Sequence, residues 1–581
     1  MKRKSIKIAI LALLASCMSG CIEEYFPEGS TVTADQVSTM SSGATGLVNA
    51  IAGKFGQIQG VYSEEYDLGY PGLGMIRDLY CEDFSIYSAD YEYFWYYATN
   101  TFLGRSYVTC YFPWKFYYQL VGMTHQVLRL EFTENNRGNF GIAHFFRAWA
   151  YFDMARYYEY KRTGVASLDD YAREHEIYGL TVPIINENST EVEARNTPRA
   201  PFYEMYRFIL DDLEKAEEYL NGYSRPAKNF PELSTVYALM ARFYLELATR
   251  FDRYPDDLAT LNNSGVALGF TTAQQGYELA AGYARKAISM SGATPLSENE
   301  WYGGSSYTDG FNSVTSASWM LGVIMQKENL GNEWSNFVGH MSPEQHFGVG
   351  GIGYDSGTGL YSNDYKAQRI IGASLYDAID DNDWRKRTWV NPADAGNASA
   401  RSEYKTAVTP EHFVQIPAYA SFKFRPKNGE MADYSIGAAT DYPLMRVEEM
   451  YFIEAEALAG SIGLDEGKRA LENFINSYRY NNNSYRCTAT DIESFRTQLM
   501  KQKRIEFWGE GIVFWDYKRL EMQVVKGYEG TNFPDAYRLN SIKGYCAPWF
   551  TGYIPLDEQT ENPAIVLNPD SSDAIELWTG K

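Results

Sequence analysis

From Phe140 to Tyr158 apolar residues recur every three or four positions, at Phe140, Ala143, Phe146, Ala150, Met154 and Tyr158. This spacing lays one stripe along an α-helix, and the alanines at 143, 148, 150 and 155 let a neighbouring helix approach closely. The same periodicity predicts helices over about 201–220, 233–249, 272–289, 445–459, 465–478 and 492–509, the last ending at Gly509 as a helix C-terminus often does. In the first of these, Met205, Phe208, Ile209, Leu213 and Ala216 share a face, while Asp211, Asp212 and Glu214 lie elsewhere. Paired helices joined by short turns, with alanine at contact positions, predict a mainly α scaffold of tetratricopeptide-like helix hairpins.

Two stretches break the pattern, 160–198 and about 292–440. The second is rich in Gly, Ser, Asn and aromatic residues and contains only brief strand-like pieces such as Trp319 to Gln326. Long aromatic-rich loops with minor β structure are therefore expected on the helical scaffold, and such loops are where binding surfaces tend to lie. No Pro-rich or Gly/Ser-rich linker separates independent units, so residues 21–581 are read as one domain. Its parts are a helical repeat (21–290), a loop-rich insertion (291–440) and a C-terminal part (441–581).

The N-terminus has its own logic. Lys2, Arg3, Lys4 and Lys7 precede an apolar run from Ile8 to Ala15 that is too short to cross a bilayer as a stable helix. This reads as a signal peptide over residues 1–20. Small residues lead to Cys17 and again to Cys21, both resembling the bacterial lipobox. Cys21 is the preferred lipidation site, because the short acidic tether Ile22-Glu23-Glu24-Tyr25-Phe26-Pro27 follows it, whereas Cys17 would leave the second small-residue cysteine motif unexplained. No later segment offers the roughly 18 uninterrupted apolar residues of a membrane-spanning helix, so attachment would rest on lipid.

The formal charge is −22, and removing the four cations of residues 1–20 takes the processed chain to −26. No basic stripe is visible, which argues against nucleic acid as a partner. Cys81, Cys110, Cys487 and Cys546 lack C-x-x-C spacing and read as buried thiols. The six histidines, His125, His144, His175, His340, His346 and His412, suggest no shared metal. Gly348-Val349-Gly350-Gly351-Ile352-Gly353 fits G-x-G-x-x-G but lacks a flanking strand and helix, so no dinucleotide site is expected. Asp380-Asp381-Asn382-Asp383 lacks the glycine and closing glutamate of a calcium loop. It reads instead as a turn held by Asx contacts and by Arg385 or Arg387. No catalytic motif, metal site or cofactor is called for.

Aromatic residues make up 16% of the chain, with 48 tyrosines and 12 tryptophans, more than the core of a helical protein needs. Between Tyr87 and Asn100, Tyr91, Tyr93, Phe94, Trp95, Tyr96 and Tyr97 crowd beside Asp90, Glu92 and Asn100. Neither helical nor strand periodicity buries all of these rings. Flat rings stack on the C–H faces of sugars while amides and guanidiniums bond the hydroxyls, so Tyr93, Trp95, Tyr97 and Asn100, with Arg77, form one candidate sugar platform. Core packing or a protein interface is the competing account. Trp301, Tyr302, Tyr307 and Trp334, in loops expected to be exposed, are the second candidate set.

Several ordered blocks carry a family resemblance. Tyr442-Pro443-Leu444-Met445-Arg446-Val447-Glu448-Glu449-Met450-Tyr451-Phe452-Ile453-Glu454-Ala455-Glu456-Ala457 resembles the signature of the SusD/RagB family. Asn473–Arg479, Lys503–Arg519, Tyr553–Glu558 and Asn562-Pro563 resemble its following blocks, as do Phe146–Phe152, Val182-Pro183-Ile184 and Asp211–Ala216 upstream. Arg504, Glu506, Glu510, Asp516 and Arg519 read as structural ion pairs. The resemblance implies a SusD-like α-α superhelix on the cell surface, lipid-anchored to the outer membrane. It implies a non-enzymatic protein that binds oligosaccharide or polysaccharide and delivers it to a SusC-like TonB-dependent transporter. A binder of peptide or another nutrient, or a surface glycosidase, are the rivals.

Overall fold

The computed structural model describes residues 43–577, except residues 65, 88–93, 305–310, 331–335, 347–353, 356–359, 362–368, 432, 573–574 and 576. Its helices are α1 (Gly43–Lys54), α2 (Tyr70–Tyr80), the short α3 (Trp95–Thr99), α4 (Val108–Leu128), α5 (Arg137–Tyr158), α6 (Phe202–Leu220), α7 (Leu233–Arg253) and α8 (Ala273–Ser291). After a long insertion come α9 (Val447–Ser461), α10 (Leu464–Tyr478), α11 (Ile492–Glu506) and α12 (Val513–Leu520), with shorter helical turns between these elements. α5 packs on α4 and on α6, α8 on α7, α9 on α8 and α10 on α9. The stack is thus continuous across the insertion, and the described residues from Leu47 onward form one compact unit.

Small residues set the spacing of this stack. A Cβ on Gly276 of α8 would lie 3.0 Å from the Cβ of Ala248 on α7, and one on Gly467 of α10 would lie 2.5 Å from the Cβ of Ala459 on α9. Neither site has room for a side chain. The helices predicted from periodicity all form. α8 starts where Thr272 accepts from Gln275 N, and α11 starts in a capping box between Asp491 and Ser494. α11 ends at Glu506, three residues before the predicted Gly509. Gly509 (φ 80°) and Gly511 (φ 68°) instead turn the chain beyond it. A Cβ on Gly511 would sit 2.4 Å from the Cα of Gly74, so α2 presses directly on that turn.

Six short strands occur among the described residues: β1 (Phe84–Ile86), β2 (Trp319–Val323), β3 (Tyr354–Asp355), β4 (Leu360–Tyr361), β5 (Arg369–Ile371) and β6 (Tyr442–Arg446). They pair antiparallel as β1–β5, β2–β6 and β3–β4. The β2–β6 ladder draws the two sides of the insertion together at the start of α9, and β1–β5 ties the insertion back to the segment after α2. Within the insertion, Ile370, Val390, Tyr404, Val408, Phe413 and Phe422 belong to a small core of their own. Cys81, Cys110, Cys487 and Cys546 are buried free thiols, as expected. Among the described residues no helix is long and apolar enough to cross a membrane. Cys17 and Cys21 lie outside the described residues.

Candidate functional site

The aromatic run between α2 and α4 divides in two. Trp95 is half-buried, while Tyr96, Phe102 and Tyr107 are 40%, 50% and 44% exposed. Their rings follow one another edge to face, with centroids 5.6 Å apart from Trp95 to Tyr96, 5.8 Å from Tyr96 to Phe102 and 5.1 Å from Phe102 to Tyr107. Ring pairs at such separations are mutually attractive, so this is an ordered ladder of rings facing solvent. The backbone makes it by reversing twice. Asn100 (φ 54°) and Phe102 (φ 54°) are both left-handed although neither is glycine. For a bulky residue such as Phe102 this conformation carries strain, and strain of this kind gathers at functional sites. Thr109 Oγ1 donates to Phe102 O at 2.5 Å and holds the turn.

Asn100 caps α3 through its backbone N–H to Tyr96 O. Its side chain is 2% exposed, and among the described residues neither its Oδ1 nor its Nδ2 has a hydrogen-bond partner. A buried primary amide without partners costs about 1–3 kcal/mol for each polar group. Both atoms are closed to solvent, so it is the ladder rings that face a ligand in this conformation.

Tyr97 and Arg77 were expected in this platform, and the structure places both in the core. Tyr97 is 1% exposed, and its hydroxyl donates to Thr109 O at 2.8 Å. The reason lies in α4, where Pro113 has no N–H for the carbonyl four residues earlier. That carbonyl belongs to Thr109, and Tyr97 takes the vacated donor's place. Arg77 is 3% exposed, donates from Nε to Gly511 O at 2.7 Å, and lies over the rings of Tyr70 (4.9 Å) and Trp515 (5.1 Å). It fastens α2 to the turn before α12. Tyr93, with Tyr91, lies outside the described residues.

In the second candidate set, Trp301 and Tyr302 are buried where exposed loops were expected. Trp301 is 1% exposed and Tyr302 4%. Trp301 Nε1 donates to Thr388 Oγ1 at 3.0 Å, and Tyr302 donates to Trp384 O at 2.7 Å. The Trp301 ring covers a buried ionic cluster, with Lys423 at 5.2 Å, Arg479 at 5.7 Å and Arg446 at 5.9 Å. Tyr307 and Trp334 lie outside the described residues, as does the glycine motif at 348–353.

Beneath Trp301, Glu506 at the end of α11 accepts from Arg385 (2.8 Å), Arg446 (3.1 Å) and Arg479 (2.7 Å). Glu510 accepts from Arg446 (2.9 Å) and Lys423 (2.6 Å), and Glu448 forms an ion pair with Arg446 at 2.9 Å. Burial alone would raise the Glu506 carboxyl, but Arg479 and Arg446 more than reverse that and hold it well below the usual range. Burial pushes the Lys423 ammonium down to about 8 and the nearby Asp78 carboxyl up to about 8. Arg385 and Lys423 come from the insertion, whereas Glu506 and Glu510 come from the C-terminal part. The cluster therefore plugs one into the other, a positioning role rather than a reactive one. The remaining family-block charges pair as expected: Arg504 with Glu82 (2.7 Å), and Arg519 with Asp516 (2.7 Å) and Glu456 (2.7 Å).

The turn at Asp380 forms through Asx contacts, Asn382 N to Asp380 Oδ1 at 2.8 Å and Arg385 N to Asp383 Oδ1 at 3.0 Å. Arg385 braces it through Asp383, while Arg387 pairs with Glu298 instead. No group of His, Cys, Asp and Glu side chains suited to a metal ion occurs among the described residues.

Sequence reasoning missed Phe102 and Tyr107. Their spacing after Trp95 carries no period, and the ladder exists only because the chain reverses at two left-handed residues that are not glycine. An unusual density of rings continuing past Asn100 is the one signal that would have found them.

A family model described as the SusD family matches residues 288–569, and another, described as starch-binding associating with outer membrane, matches residues 79–245. No curated protein sequence matches the chain. Among solved structures, a SusD-like carbohydrate binding protein from Bacteroides vulgatus aligns at 19% identity with a TM-score of 0.63, covering 90% of this chain and 97% of its own. A SusD superfamily protein from Bacteroides thetaiotaomicron aligns at 17% identity and a TM-score of 0.61, covering 93% and 100%. Surface glycan-binding protein A of the same organism, solved with laminarihexaose, aligns at 15% and 0.57, covering 90% and 98%. At these identities the structural likeness carries the fold alone, which agrees with the stack of helices. With both matching models drawn from one family and lying in sequence order along most of the chain, the protein belongs to the SusD/RagB family.

Proposed function

We propose that this chain is a non-enzymatic, surface-exposed lipoprotein of the outer membrane that captures oligosaccharide or polysaccharide and passes it to a SusC-like TonB-dependent transporter. The observation that carries the binding part is the solvent-facing ladder Trp95–Tyr96–Phe102–Tyr107. Exposed rings offer stacking faces to pyranoses. Family membership supports the transporter and the surface location, and the laminarihexaose complex of a structurally similar protein supports a glycan as ligand. Cys21 would carry the lipid.

The test is retention of glycans from a panel by purified protein. Replacing Trp95, Tyr96 and Phe102 with alanine is expected to abolish retention while the thermal transition stays in place. Undiminished retention by that variant removes the ladder from the mechanism, and turnover of a retained glycan would make the protein a hydrolase. Retention of peptides in place of glycans would support the rival nutrient. Cys21→Ala is expected to free the protein from the membrane without altering its ligand binding.

A further inference from the structure

A separate cleft of about 520 Å³ opens on the insertion, bounded by the 3₁₀ turn Trp384–Thr388, the loop 391–404 and residues 481–482. It shares no residue with the ring ladder. The amides of Asn382, Asn391, Asn481 and Asn482 stand around it, aromatic rings form its floor, and charged groups complete it; no aliphatic side chain lines it among the described residues. A cleft of about 630 Å³ beside Trp114 and Tyr118 makes the contrast, since Pro183, Ile185, Ala194 and Ile565 line it. Volume alone does not separate the two, both falling in the range of about 300–1,000 Å³ seen for small-ligand sites. Composition does.

The floor is set before any ligand arrives. Trp384 donates from its indole to Tyr478 O at 3.1 Å, and its neighbour Arg385 is locked on Asp383 and Glu506 with no exposure. The Tyr404 hydroxyl accepts from Asn391 N at 2.8 Å and donates to Asp394 at 2.9 Å. Pre-set groups of this kind lower the ordering cost of binding. At the rim, Glu403 and Asn481 are exposed and make no hydrogen bond or ion pair with any described residue. Lys386 is held by Asp381 at 2.6 Å and Arg387 by Glu298, so Asp394 and Glu403 leave the cleft with an excess of negative charge. The matching ligand has many hydroxyls that donate and accept, a small ring with C–H faces, and no anionic substituent.

We propose that this cleft is a second carbohydrate subsite, which holds one or two neutral sugar residues of the polymer gripped by the ladder. It rests on the reading of the chain as a glycan binder. Two sites on one polymer raise its affinity above that of either alone, by about 10²–10⁴ when both can be engaged together. Oligosaccharides too short to span the sites gain nothing. The experiment is titration calorimetry with a neutral polysaccharide that the wild type retains and with its short oligosaccharides. It compares wild type, Glu403→Ala with Asn481→Ala, Trp95→Ala with Phe102→Ala, and all four changes together. Glu403 and Asn481 hold nothing in place, so their removal is expected to leave the thermal transition unmoved. It is expected to weaken binding of the polymer at least tenfold, to weaken short oligosaccharides much less, and to eliminate whatever binding the ladder variant keeps. Polymer binding equal to wild type in the Glu403/Asn481 variant overturns the subsite and leaves the ladder reading standing. A ladder variant that binds like wild type overturns the ladder, and a wild type that retains no glycan overturns both.

Discussion

Two aromatic clusters of similar composition meet opposite fates in this protein. Trp95, Tyr96, Phe102 and Tyr107 stand in a row toward solvent, whereas Trp301, Tyr302, Phe311 and Trp384 pack edge to face inside the insertion. The difference lies in what stands behind the rings. Trp301 covers Lys423, Arg446 and Arg479, cations that three buried glutamates neutralise and that need a polarisable lid. Among the described residues the ladder covers no such charge, and its loop is held by Tyr97 on Thr109 O and by Thr109 Oγ1 on Phe102 O. Aromatic density in a sequence thus marks a site only where no buried charge claims the rings.

Glu506→Gln breaks the comparison most severely. Arg385, Arg446, Arg479 and Lys423 would then share Asp383, Glu448 and Glu510, leaving one buried positive charge uncompensated at a cost of about 3–5 kcal/mol. Chemical denaturation measures it. A loss below about 1 kcal/mol, within the range of an exposed pair, would show that the cluster does not hold the insertion. Trp301→Ala follows, at about 3–5 kcal/mol for emptying a buried indole site. Trp95→Ala at the half-exposed ladder is expected to cost about 1 kcal/mol or less. Retention of glycan is expected to respond to Trp95→Ala alone among these two, provided both are assayed where they remain folded. The opposite pattern would exchange the roles assigned to the clusters.

Titration sharpens the buried side. Asp78 accepts from Gly511 N at 2.9 Å beside the cluster, and burial raises its carboxyl from 3.8 to about 8. Between those values the unfolded chain has lost a proton that the folded chain keeps. The contribution of Asp78 is therefore fully present below about pH 4 and is lost as pH rises toward 8, with a slope of at most about 1.4 kcal/mol per pH unit. Asp78→Asn keeps an acceptor for Gly511 and is expected to flatten the stability profile in that window. An unchanged slope would mean that Asp78 is already ionised in the native protein.

α6, α8 and α10 were legible because each has one wet face, whereas α5, buried almost throughout, was legible from rings and alanines repeating every three or four residues. α5 through α10 fall within a few residues of the boundaries read from periodicity. α2 and α4 were not, for opposite reasons of pattern. Every residue of α2 is buried, so no polar face marks a period, and α4 combines a dense run of rings with Pro113, a residue that argues against a helix interior. Within the site, Trp95 and Asn100 were read from clustering, but Trp301 and Tyr302 were misjudged. Gly303 and Gly304 beside them signalled an exposed loop, and the groups that bury Trp301, Arg446, Arg479 and Lys423, come from more than a hundred residues away.

The finest test concerns the strut beneath the ladder. Pro113 deprives Thr109 O of its helical donor and Tyr97 supplies another, so the two residues are energetically linked although their side chains do different things. Tyr97→Phe leaves that buried carbonyl unpaired and is expected to cost about 1–2 kcal/mol. In a Pro113→Ala background the backbone N–H returns, Thr109 O is satisfied within α4, and the same Tyr97→Phe change is expected to cost about 1 kcal/mol less. Any packing loss from Pro113→Ala itself cancels in the double-mutant cycle, which reads only the coupling. A coupling near zero would mean that the Tyr97 hydroxyl does not stand in for the missing amide. The burial of Tyr97 would then follow from ring packing against Tyr66 and Tyr80 alone.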